Sequence, residues 1–542
     1  MIIFKEVSKS FGNREIFNIE DLKINKYDKV GIVGTNGSGK TTLLNMIAGI
    51  EDYSGDILLD KNIKVEYLKQ IEGITNTEIS KKSASILKVP SKYNKYLSGG
   101  EKTKFKIADL LNSKGNLYLV DEPTNNLDIN GIKILTKAFK EKEETMLIIS
   151  HNREFLDNVC NKIIEIENKE VKLYDGNYSK YLSIKEEEIQ RQEFLYESYE
   201  KEKDRLKKVV AKSKEQSKNI RKTPKRMGNS ESRLHRMGGQ KNKAKVDKFV
   251  KSLETRIEKL EIVEKPKEVE EIKLEINEKS KVYAKILVDG KNINKSFKDK
   301  IIFKDASFQI HNNKKTAIIG ENGSGKSTLI NMIVNRSSDL KISTKLKIGY
   351  FNQDMSILDY DKSILENVME NSIYDENTVR KVLGRFLIKD EKVNEKASIL
   401  SGGERVKISL CKIILEDINI LILDEITNHL DINSIEVIEE ALMNYDRAII
   451  FVSHDKTFVD NIADELLIIK DKKINKHMGN YSSYIKSLNK KYDNYNLMIL
   501  ESKMSEIIGK LSMEIKKEEK EKLNREYDEI LKNINKIKKE MN

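Results

Sequence analysis

Short apolar runs alternate with glycine loops and amphipathic stretches along most of this 542-residue chain. Runs such as Ala448–Val452 and Ile418–Leu423 have the length of a buried strand, and helical periodicity follows many of them. This alternation predicts α/β domains, each built on a mostly parallel sheet. Residues 186–222 depart from the pattern, because they contain no glycine or proline and are rich in Glu, Lys, Arg and Gln. They predict one long, solvated helix.

A second long helix is predicted over Val246–Leu260, where apolar residues recur at helical spacing. Helix breakers cluster between the two stretches, in Thr223–Ser230 and Met237–Gly239. The simplest structure is an antiparallel helical hairpin with its tip near 223–240 and an arm of about 37 residues, or roughly 55 Å. Residues 489–542 predict a further helical extension that is rich in Lys and Glu.

The two α/β regions form an internal repeat, and we call them the first and the second repeat. Lys40 and Lys326 are 286 residues apart, whereas Asp121 and Asp424 are 303 apart. The difference lies before a Ser-Gly-Gly sequence, where the first repeat is shorter, so an abbreviated helical subdomain is predicted there. The predicted domains are 1–185 for the first repeat, 186–283 for the hairpin, 284–488 for the second repeat and 489–542 for the extension.

The net charge of +12 is concentrated in one stretch. Residues 201–250 hold 18 Lys or Arg against 5 Asp or Glu, so the net charge of this stretch (18 − 5 = +13) alone exceeds the net charge of the whole chain. Such a concentration indicates a surface that binds a polyanion. The apolar runs fall far short of the roughly 20 residues that span a bilayer. With only Cys160 and Cys411 and no signal-peptide layout, a cytoplasmic location is expected.

Each repeat contains a glycine-rich loop before a predicted helix, at Gly34–Thr41 and Gly320–Ser327. Glycines in such a loop let backbone N–H groups surround a polyphosphate. The loop lysines are predicted to contact its β- and γ-phosphates, and the hydroxyl after each lysine is predicted to hold Mg²⁺. The predicted nucleotide-binding residues of the two loops are Gly34, Asn36, Gly37, Gly39, Lys40, Thr41, Thr42, Gly320, Asn322, Gly323, Gly325, Lys326, Ser327 and Thr328.

Carboxylates follow a later apolar strand in each repeat. Asp121 and Asp424 end these strands and are predicted to complete the Mg²⁺ site. The remaining predicted residues are Glu122 and Glu425, which would polarise the attacking water, His151 and His454, which would reach the γ-phosphate, and Gln70 and Gln353, which would contact Mg²⁺ or water. Strand-end carboxylates can also be merely solvated, but the same ordered set in both repeats favours catalysis.

Two aromatic residues leave the choice between ligand binding and packing open. Phe11 and Phe297 each follow a Lys-Ser dipeptide before a strand. Either ring could stack on a nucleobase, and either could pack in the core instead.

Leu97–Glu101 and Leu400–Glu404 both read Leu-Ser-Gly-Gly-Glu, and with these motifs the chain resembles the ATP-binding cassette (ABC) ATPases across both repeats. The resemblance implies ATP hydrolysis by a monomer whose two cassettes face head to tail. The signature residues of each repeat would then complete the site of the other, with Ser401, Gly402 and Gly403 at Lys40, and Ser98, Gly99 and Gly100 at Lys326. The chain departs from the family pattern at Ile426, where the first repeat has Pro123.

Two cassettes joined by a long charged hairpin make the chain similar to the ABC-F family of translation factors. Thr223–Gly239 resembles the hairpin tip of antibiotic-resistance members from Gram-positive bacteria. The resemblance implies binding to the E site of the bacterial ribosome, contacts with 23S rRNA and P-site tRNA, and protection of the peptidyl-transferase centre, with ATP hydrolysis driving release. The tip residues predicted to contact RNA are Lys225, Arg226, Met227, Arg233, Leu234, His235, Arg236 and Met237.

Among drugs, lincosamides, pleuromutilins and streptogramin A are expected from this resemblance, with phenicols and oxazolidinones as the alternative. Two other functions share most of the motifs. A housekeeping ABC-F factor in translation or ribosome assembly would contain every one of them. A transporter's ATPase subunit would contain the cassettes but would have no use for the hairpin, and no membrane partner is expected.

Overall fold

The computed structural model describes residues 1–69, 78–94, 96–97, 99–219, 229–260, 282–297, 300–352, 357–388, 391–428, 430–512 and 517–541. Within the helices, the side chains of 219, 229–241, 489–495, 517–521 and 536–541 are outside this description. The chain divides into two compact units, one of residues 1–178 with 272–542 and one of residues 179–271.

The first repeat is built on one nine-stranded sheet. Its strands are β1 Ile2–Phe11, β2 Arg14–Ile24, β3 Lys29–Gly34, β4 Ser54–Leu59, β5 Val65–Leu68, β6 Leu117–Asp121, β7 Thr145–Ile149, β8 Lys162–Glu167 and β9 Glu170–Asp175. Its helices are α1 Lys40–Ile47, α2 Lys81–Leu87, α3 Gly99–Asn112, α4 Ile129–Glu141 and α5 Arg153–Val159. The strand order is β4-β1-β2-β9-β8-β3-β7-β6-β5.

The strands β8, β3, β7, β6 and β5 run parallel, while β1, β2 and β4 pair antiparallel. Every residue of β6 and β7 is buried, as expected for central parallel strands between layers of helices. Because β3, β7 and β6 are neighbours, their carboxyl ends meet at one edge of the sheet. The first glycine-rich loop, Gly34–Thr41, begins at the end of β3, and we call it and its counterpart Gly320–Ser327 the phosphate loops. Glu122 directly follows β6, and His151 lies two residues after β7. The three segments are therefore brought together at this edge.

Residues 179–271 form the second unit, which contains most of a helix α6 at Tyr178–Asn219 and a helix α7 at Asn229–Glu258. The helices run antiparallel, because Ser217 Oγ donates to Asp247 Oδ1 over 2.6 Å and Arg256 Nη2 lies 3.4 Å from Glu202 Oε1. At 42 residues, α6 is about 63 Å long, which exceeds the length predicted from sequence.

The prediction that Met237–Gly239 breaks the helical structure was wrong, because α7 begins at Asn229 and continues through these residues. Glycine disfavours a helix interior by about 1 kcal/mol relative to alanine, and a 30-residue helix tolerates that cost. The other predicted breakers, up to Gly228, lie outside the described residues.

The second repeat divides its strands between two sheets, in the orders β11-β10-β13 and β14-β15-β16-β12-β17-β18. The strands are β10 Ile286–Phe297, β11 Lys300–His311, β12 Lys315–Gly320, β13 Leu340–Ile342, β14 Ile348–Phe351, β15 Ile420–Asp424, β16 Ala448–Val452, β17 Glu465–Lys470 and β18 Lys473–Met478. The helices are α8 Lys326–Val334, α9 Ile364–Met369, α10 Glu376–Arg385, α11 Gly402–Ile414, α12 Ile432–Met443 and α13 Lys456–Ile462.

The sequence-length difference between the repeats corresponds to α9 and α10. They lie between β14 and α11, with short 3-10 turns at Lys392–Asn394 and Ala397–Ile399. Val368, Val379 and Leu383 on these helices join the core that covers one face of the sheet. In the first repeat, the described part of the corresponding segment contains only the short helix α2.

The C-terminal extension consists of α14 Tyr481–Leu511 and α15 Lys517–Met541. The two helices share a small apolar cluster in which Ile507, Ile530 and Ile534 are buried. Two tandem domains of mixed α/β architecture with added helical elements thus confirm the predicted α/β fold class.

Candidate active sites

Each phosphate loop joins a buried strand to a helix and places its lysine among backbone oxygens. Lys40 Nζ donates to the carbonyl oxygens of Gly34 and Thr35 over 2.8 and 3.0 Å. Lys326 Nζ makes the equivalent bonds to the second loop, to the carbonyl oxygens of Gly320 at 3.0 Å and Glu321 at 3.2 Å. Burial lowers the pKa of both lysines, and nearby carboxylates partly oppose this effect. The ammonium groups therefore lie inside the loops that are predicted to surround a polyphosphate.

Glycine is required immediately before each of these lysines. Gly39 and Gly325 precede α1 and α8 with φ of 99° and 111°, a region that other residues rarely adopt. A Cβ atom on Gly39 would lie 2.5 Å from Ile16 Cγ2, and one on Gly325 would lie 2.5 Å from Ile302 Cγ2. The start of each helix can therefore approach its neighbouring strand only without a side chain at this position.

The predicted Mg²⁺ residues of the first repeat lie together. Thr41 Oγ1 donates to Asp121 Oδ2 over 2.9 Å, directly beside the loop lysine. Burial raises the pKa of Asp121, and the Thr41 hydrogen bond and the Lys40 charge oppose that rise. A hydroxyl and a carboxylate are oxygen donors of the kind that Mg²⁺ takes together with substrate phosphates, so this pair fits the ion.

Glu122 and Glu425 follow β6 and β15 in a strained backbone conformation, with φ of 51° and 53°. Left-handed geometry costs a non-glycine residue of the order of 1–3 kcal/mol and is concentrated at functional sites. The conformation turns each glutamate toward the histidine of its own repeat. His151 Nε2 lies 3.2 Å from Glu122 Oε1, and His454 Nε2 lies 3.4 Å from Glu425 Oε1.

The two glutamates differ in their electrostatic surroundings. Burial raises the pKa of Glu122, and the charge of Asp121 adds to the rise. Burial acts in the same direction on Glu425, but hydrogen bonds from His454 and Asn428 and nearby positive charge, including that of Lys326, together outweigh it and lower the pKa of that glutamate. The Asn428 bond is 2.8 Å long. Burial and the Glu425 charge raise the pKa of Asp424 to about 6.

Reciprocal hydrogen bonds join the phosphate loop of each repeat to the other repeat. The backbone N–H of Asn36 donates to Asp431 Oδ2 over 2.6 Å, and that of Asn322 donates to Asp128 Oδ2 over 3.1 Å. Each aspartate also caps the helix that follows it. Sequence reasoning missed both aspartates, although each lies seven residues after the strand-end aspartate of its repeat and so carries the same 303-residue offset.

The site around Lys326 is a cavity of about 720 Å³ that both repeats line. On one side lie Gly99, Gly100 and Asp128 of the first repeat. On the other lie the phosphate loop, Glu425 and His454 of the second repeat. A Cβ atom on Gly100 would lie 2.8 Å from Asn322 Nδ2, which shows how closely the signature segment approaches the opposite loop. The cavity also contains Lys88, Lys104 and Lys300, three cations that sequence reasoning missed.

The smaller cavity beside the first phosphate loop, of about 560 Å³, is lined by first-repeat residues, among them Arg14, Asn36 and Lys169. Ser401 caps α11 through a reciprocal pair of hydrogen bonds with Glu404, which fixes the second signature segment at a helix start. Gly402 and Gly403 open that helix.

Phe11 and Phe297 are 50% and 54% exposed, so neither packs in the core, and stacking on a nucleobase stays a prediction. Thr42 is half-buried in α1, and Thr328 lines the larger cavity. The predicted residues outside the described structure are Gln70, Gln353, Ser98, Lys225, Arg226 and Met227. The side chains of the other predicted tip residues, from Arg233 to Met237, are also outside it.

Comparison with known families agrees with the geometry. A family described as ABC transporter matches residues 17–90 and 303–428, and a second profile of the same description matches 164–276. The ribosome protection protein VmlR of Bacillus subtilis (strain 168) is 30% identical over 548 residues, covering 99% of this chain and 98% of VmlR. ABC transporter F family member 5 of Arabidopsis thaliana is 29% identical over 555 residues, covering 89% of this chain and 76% of that protein.

Among solved structures, the archaeal ribosome recycling factor aABCE1 in complex with the stalk protein aP1 superposes with a TM-score of 0.60. The alignment covers 89% of this chain and 92% of that one at 18% identity, which supports the fold alone.

The chain belongs to the ABC-F family of ATP-binding cassette ATPases. It is an ATP hydrolase, as its cassettes and full-length relatives establish. Across the described residues, no helix is both long enough and apolar enough to cross a membrane.

Proposed function

We propose that this ATPase binds the bacterial ribosome at the E site and protects the peptidyl-transferase centre from antibiotics. One observation carries the proposal: the similarity to a ribosome protection protein extends over 98% of that protein's own length. It therefore includes the hairpin and the C-terminal extension as well as the cassettes. Lincosamides, pleuromutilins and streptogramin A are the proposed drugs.

The charge distribution supports RNA as the partner. Residues 201–250 contain the positive excess of the chain, and the described parts of α6 and α7 in this stretch are mostly exposed. Several phosphate contacts from such a surface would make binding strongly dependent on salt. The proposed contacts are with 23S rRNA and P-site tRNA, through the tip residues Lys225, Arg226, Met227, Arg233, Leu234, His235, Arg236 and Met237. The proposed domain division is 1–185, 186–283, 284–488 and 489–542.

ATP and Mg²⁺ are proposed to bind between the two cassettes of one monomer. The glycine loops, Lys40 and Lys326 would hold the phosphates, while Thr41 and Asp121 and their counterparts in the second repeat would hold the ion. Mg²⁺ would neutralise developing charge on the phosphate oxygens. Glu122 and Glu425 would orient the attacking water, and hydrolysis would let the cassettes separate and the protein leave the ribosome.

In vitro translation in the presence of a lincosamide tests the proposal. Purified protein with ATP is expected to restore translation, and a variant lacking 223–240 is expected to lose this effect while hydrolysing ATP at the wild-type rate in isolation. Parallel reactions with a pleuromutilin, streptogramin A, a phenicol and an oxazolidinone give the drug spectrum.

A housekeeping ABC-F factor is the alternative that the same experiment separates. Such a factor would bind ribosomes and hydrolyse ATP but would restore translation with none of these drugs. Failure of the protein to associate with ribosomes at low salt would reject both functions.

A further inference from the structure

A buried ion pair joins the two repeats next to the catalytic histidines. Arg153 is the first residue of α5, two positions after His151. Its Nη2 donates to Glu439 Oε1 over 2.6 Å, and its Nη1 donates to Glu439 Oε2 over 3.2 Å. Glu439 lies on α12 of the second repeat. The pair is therefore bidentate, the geometry in which a guanidinium and a carboxylate bind each other most strongly.

The pair is largely removed from solvent. The Arg153 side chain is 11% exposed and the Glu439 side chain is 7% exposed. Asn461 Nδ2 also donates to Glu439 Oε2, over 3.3 Å, and Glu436 Oε1 lies 3.8 Å from Arg153. Loss of one partner would leave a buried charge uncompensated, which is far more unfavourable than loss of a surface pair.

Arg153 also faces the segment that follows the other histidine. Asp455 comes directly after His454 and caps α13 by accepting from the backbone N–H groups of Thr457 and Phe458. Burial raises the pKa of Asp455, and the charge of Arg153 opposes the rise. Arg153 thus lies between the segments that position His151 and His454.

The repeat symmetry does not reproduce this arrangement in the opposite direction. The 303-residue offset places Lys456 opposite Arg153 and Thr136 opposite Glu439, so the carboxylate partner has no counterpart on α4. Lys456 pairs instead with Glu154 of α5, whose side chain is 38% exposed. The first repeat therefore contributes the arginine and the second repeat the glutamate, and the equivalent positions do not form such a pair with these roles exchanged.

We propose that Arg153 and Glu439 are positioning residues for ATP hydrolysis: they stabilise the closed pair of cassettes and couple the histidine segments of the two sites. The proposal depends on the ATPase activity and on the predicted role of His151 and His454 at the γ-phosphate, and it does not depend on the ribosome. Neither residue touches the reacting atoms, so the expected effect is on closure by ATP.

Closure can be measured without turnover by energy transfer in the full chain that carries Glu122→Gln and Glu425→Gln. Fluorophores placed at Lys172→Cys and Lys291→Cys occupy exposed positions, one in each repeat. The natural Cys160 and Cys411 are buried, and burial raises the pKa of both thiols, so the introduced cysteines react selectively.

Glu439→Gln is expected to raise the ATP concentration at half-closure at least tenfold, which corresponds to about 1.4 kcal/mol. Glu440→Gln is the matched control, because the neighbouring Glu440 pairs with Arg385 inside the second repeat over 2.9 Å. The control is expected to shift the midpoint less than twofold. Without the catalytic substitutions, Glu439→Gln should raise KM for ATP more than it lowers kcat.

Thermal unfolding without ATP shows whether each variant folds. If Glu439→Gln does not fold, Arg153→Lys provides the test, because it keeps the charge and removes the bidentate geometry. Its expected shift of the midpoint is about threefold. An unchanged midpoint in the variant that folds, or an equal shift in Glu440→Gln, would overturn the proposal.

Discussion

The two repeats share a sequence motif but provide different environments for its glutamate. Glu122 is buried beside Asp121, and its pKa is raised. Glu425 occupies the same strand-end position and burial also acts to raise its pKa, yet hydrogen bonds from His454 and Asn428 and nearby positive charge, including that of Lys326, together lower it. Identical motif residues therefore do not ensure identical protonation. Surrounding contacts decide how readily each carboxylate can accept a proton from water.

The largest effect is expected when both glutamates are neutralised. Glu122→Gln with Glu425→Gln should lower kcat for ATP at least about a hundredfold, because general acid–base groups typically contribute 10²–10⁴. ATP binding should persist, since the lysines and the Thr41–Asp121 pair are unchanged. Phosphate release and nucleotide binding measured on the same preparation check both statements. Near wild-type turnover would remove both glutamates from the mechanism.

Sequence reasoning identified residues that the structure brings together in each candidate site, because their predicted chemistry depends on local order along the chain. Strand-end carboxylates and glycine loops keep fixed spacings, and parallel strands bring their carboxyl ends together. It missed Asp128 and Asp431, whose partners are 194 and 395 residues away. The Arg153–Glu439 pair spans 286 residues and was missed for the same reason. The different pKa values of the glutamates also follow from burial and contacts, which motif spacing does not report.

Single-site variants should separate the pH dependence of the two repeats. Glu425→Gln leaves Glu122 as the working base, and Glu122→Gln leaves Glu425. A carboxylate accepts a proton only above its pKa, so a raised pKa moves the acidic limb of kcat to higher pH. The Glu425→Gln variant should therefore lose activity at a higher pH than the Glu122→Gln variant. Coinciding limbs in pH–rate profiles would contradict the assigned difference.

Removing one hydrogen bond should reduce the difference between the repeats. In the Glu122→Gln background, Asn428→Leu deletes the 2.8 Å bond to Glu425 and should move its acidic limb toward higher pH. Asn125→Leu in the Glu425→Gln background changes the equivalent residue and is the control. Equal shifts in the two backgrounds would mean that Asn428 has no special role.

The smallest effect is expected at the exposed aromatic residues. Phe11→Ala and Phe297→Ala should each raise KM for ATP by about two- to tenfold, because an aromatic contact contributes roughly 0.5–1.5 kcal/mol. Stability should change little, since both rings are about half-exposed. KM values that stay unchanged for ATP, and for GTP as a comparison substrate, would exclude base stacking by these rings.

The central claim is that the signature segment of each repeat completes the site of the other. Combining Gly100→Asp with the loss of either glutamate in turn tests this claim directly. Gly100→Asp should disable the site around Lys326, because its Cβ would lie 2.5 Å from the backbone oxygen of Asn126 and 2.8 Å from Asn322 Nδ2 of the opposite loop. Combined with Glu122→Gln, it is therefore expected to abolish ATP hydrolysis. Combined with Glu425→Gln, it is expected to give the same turnover as the Glu425→Gln variant without it. The reverse pattern, with turnover retained beside Glu122→Gln and lost beside Glu425→Gln, would show that each signature segment serves its own phosphate loop and would contradict the account.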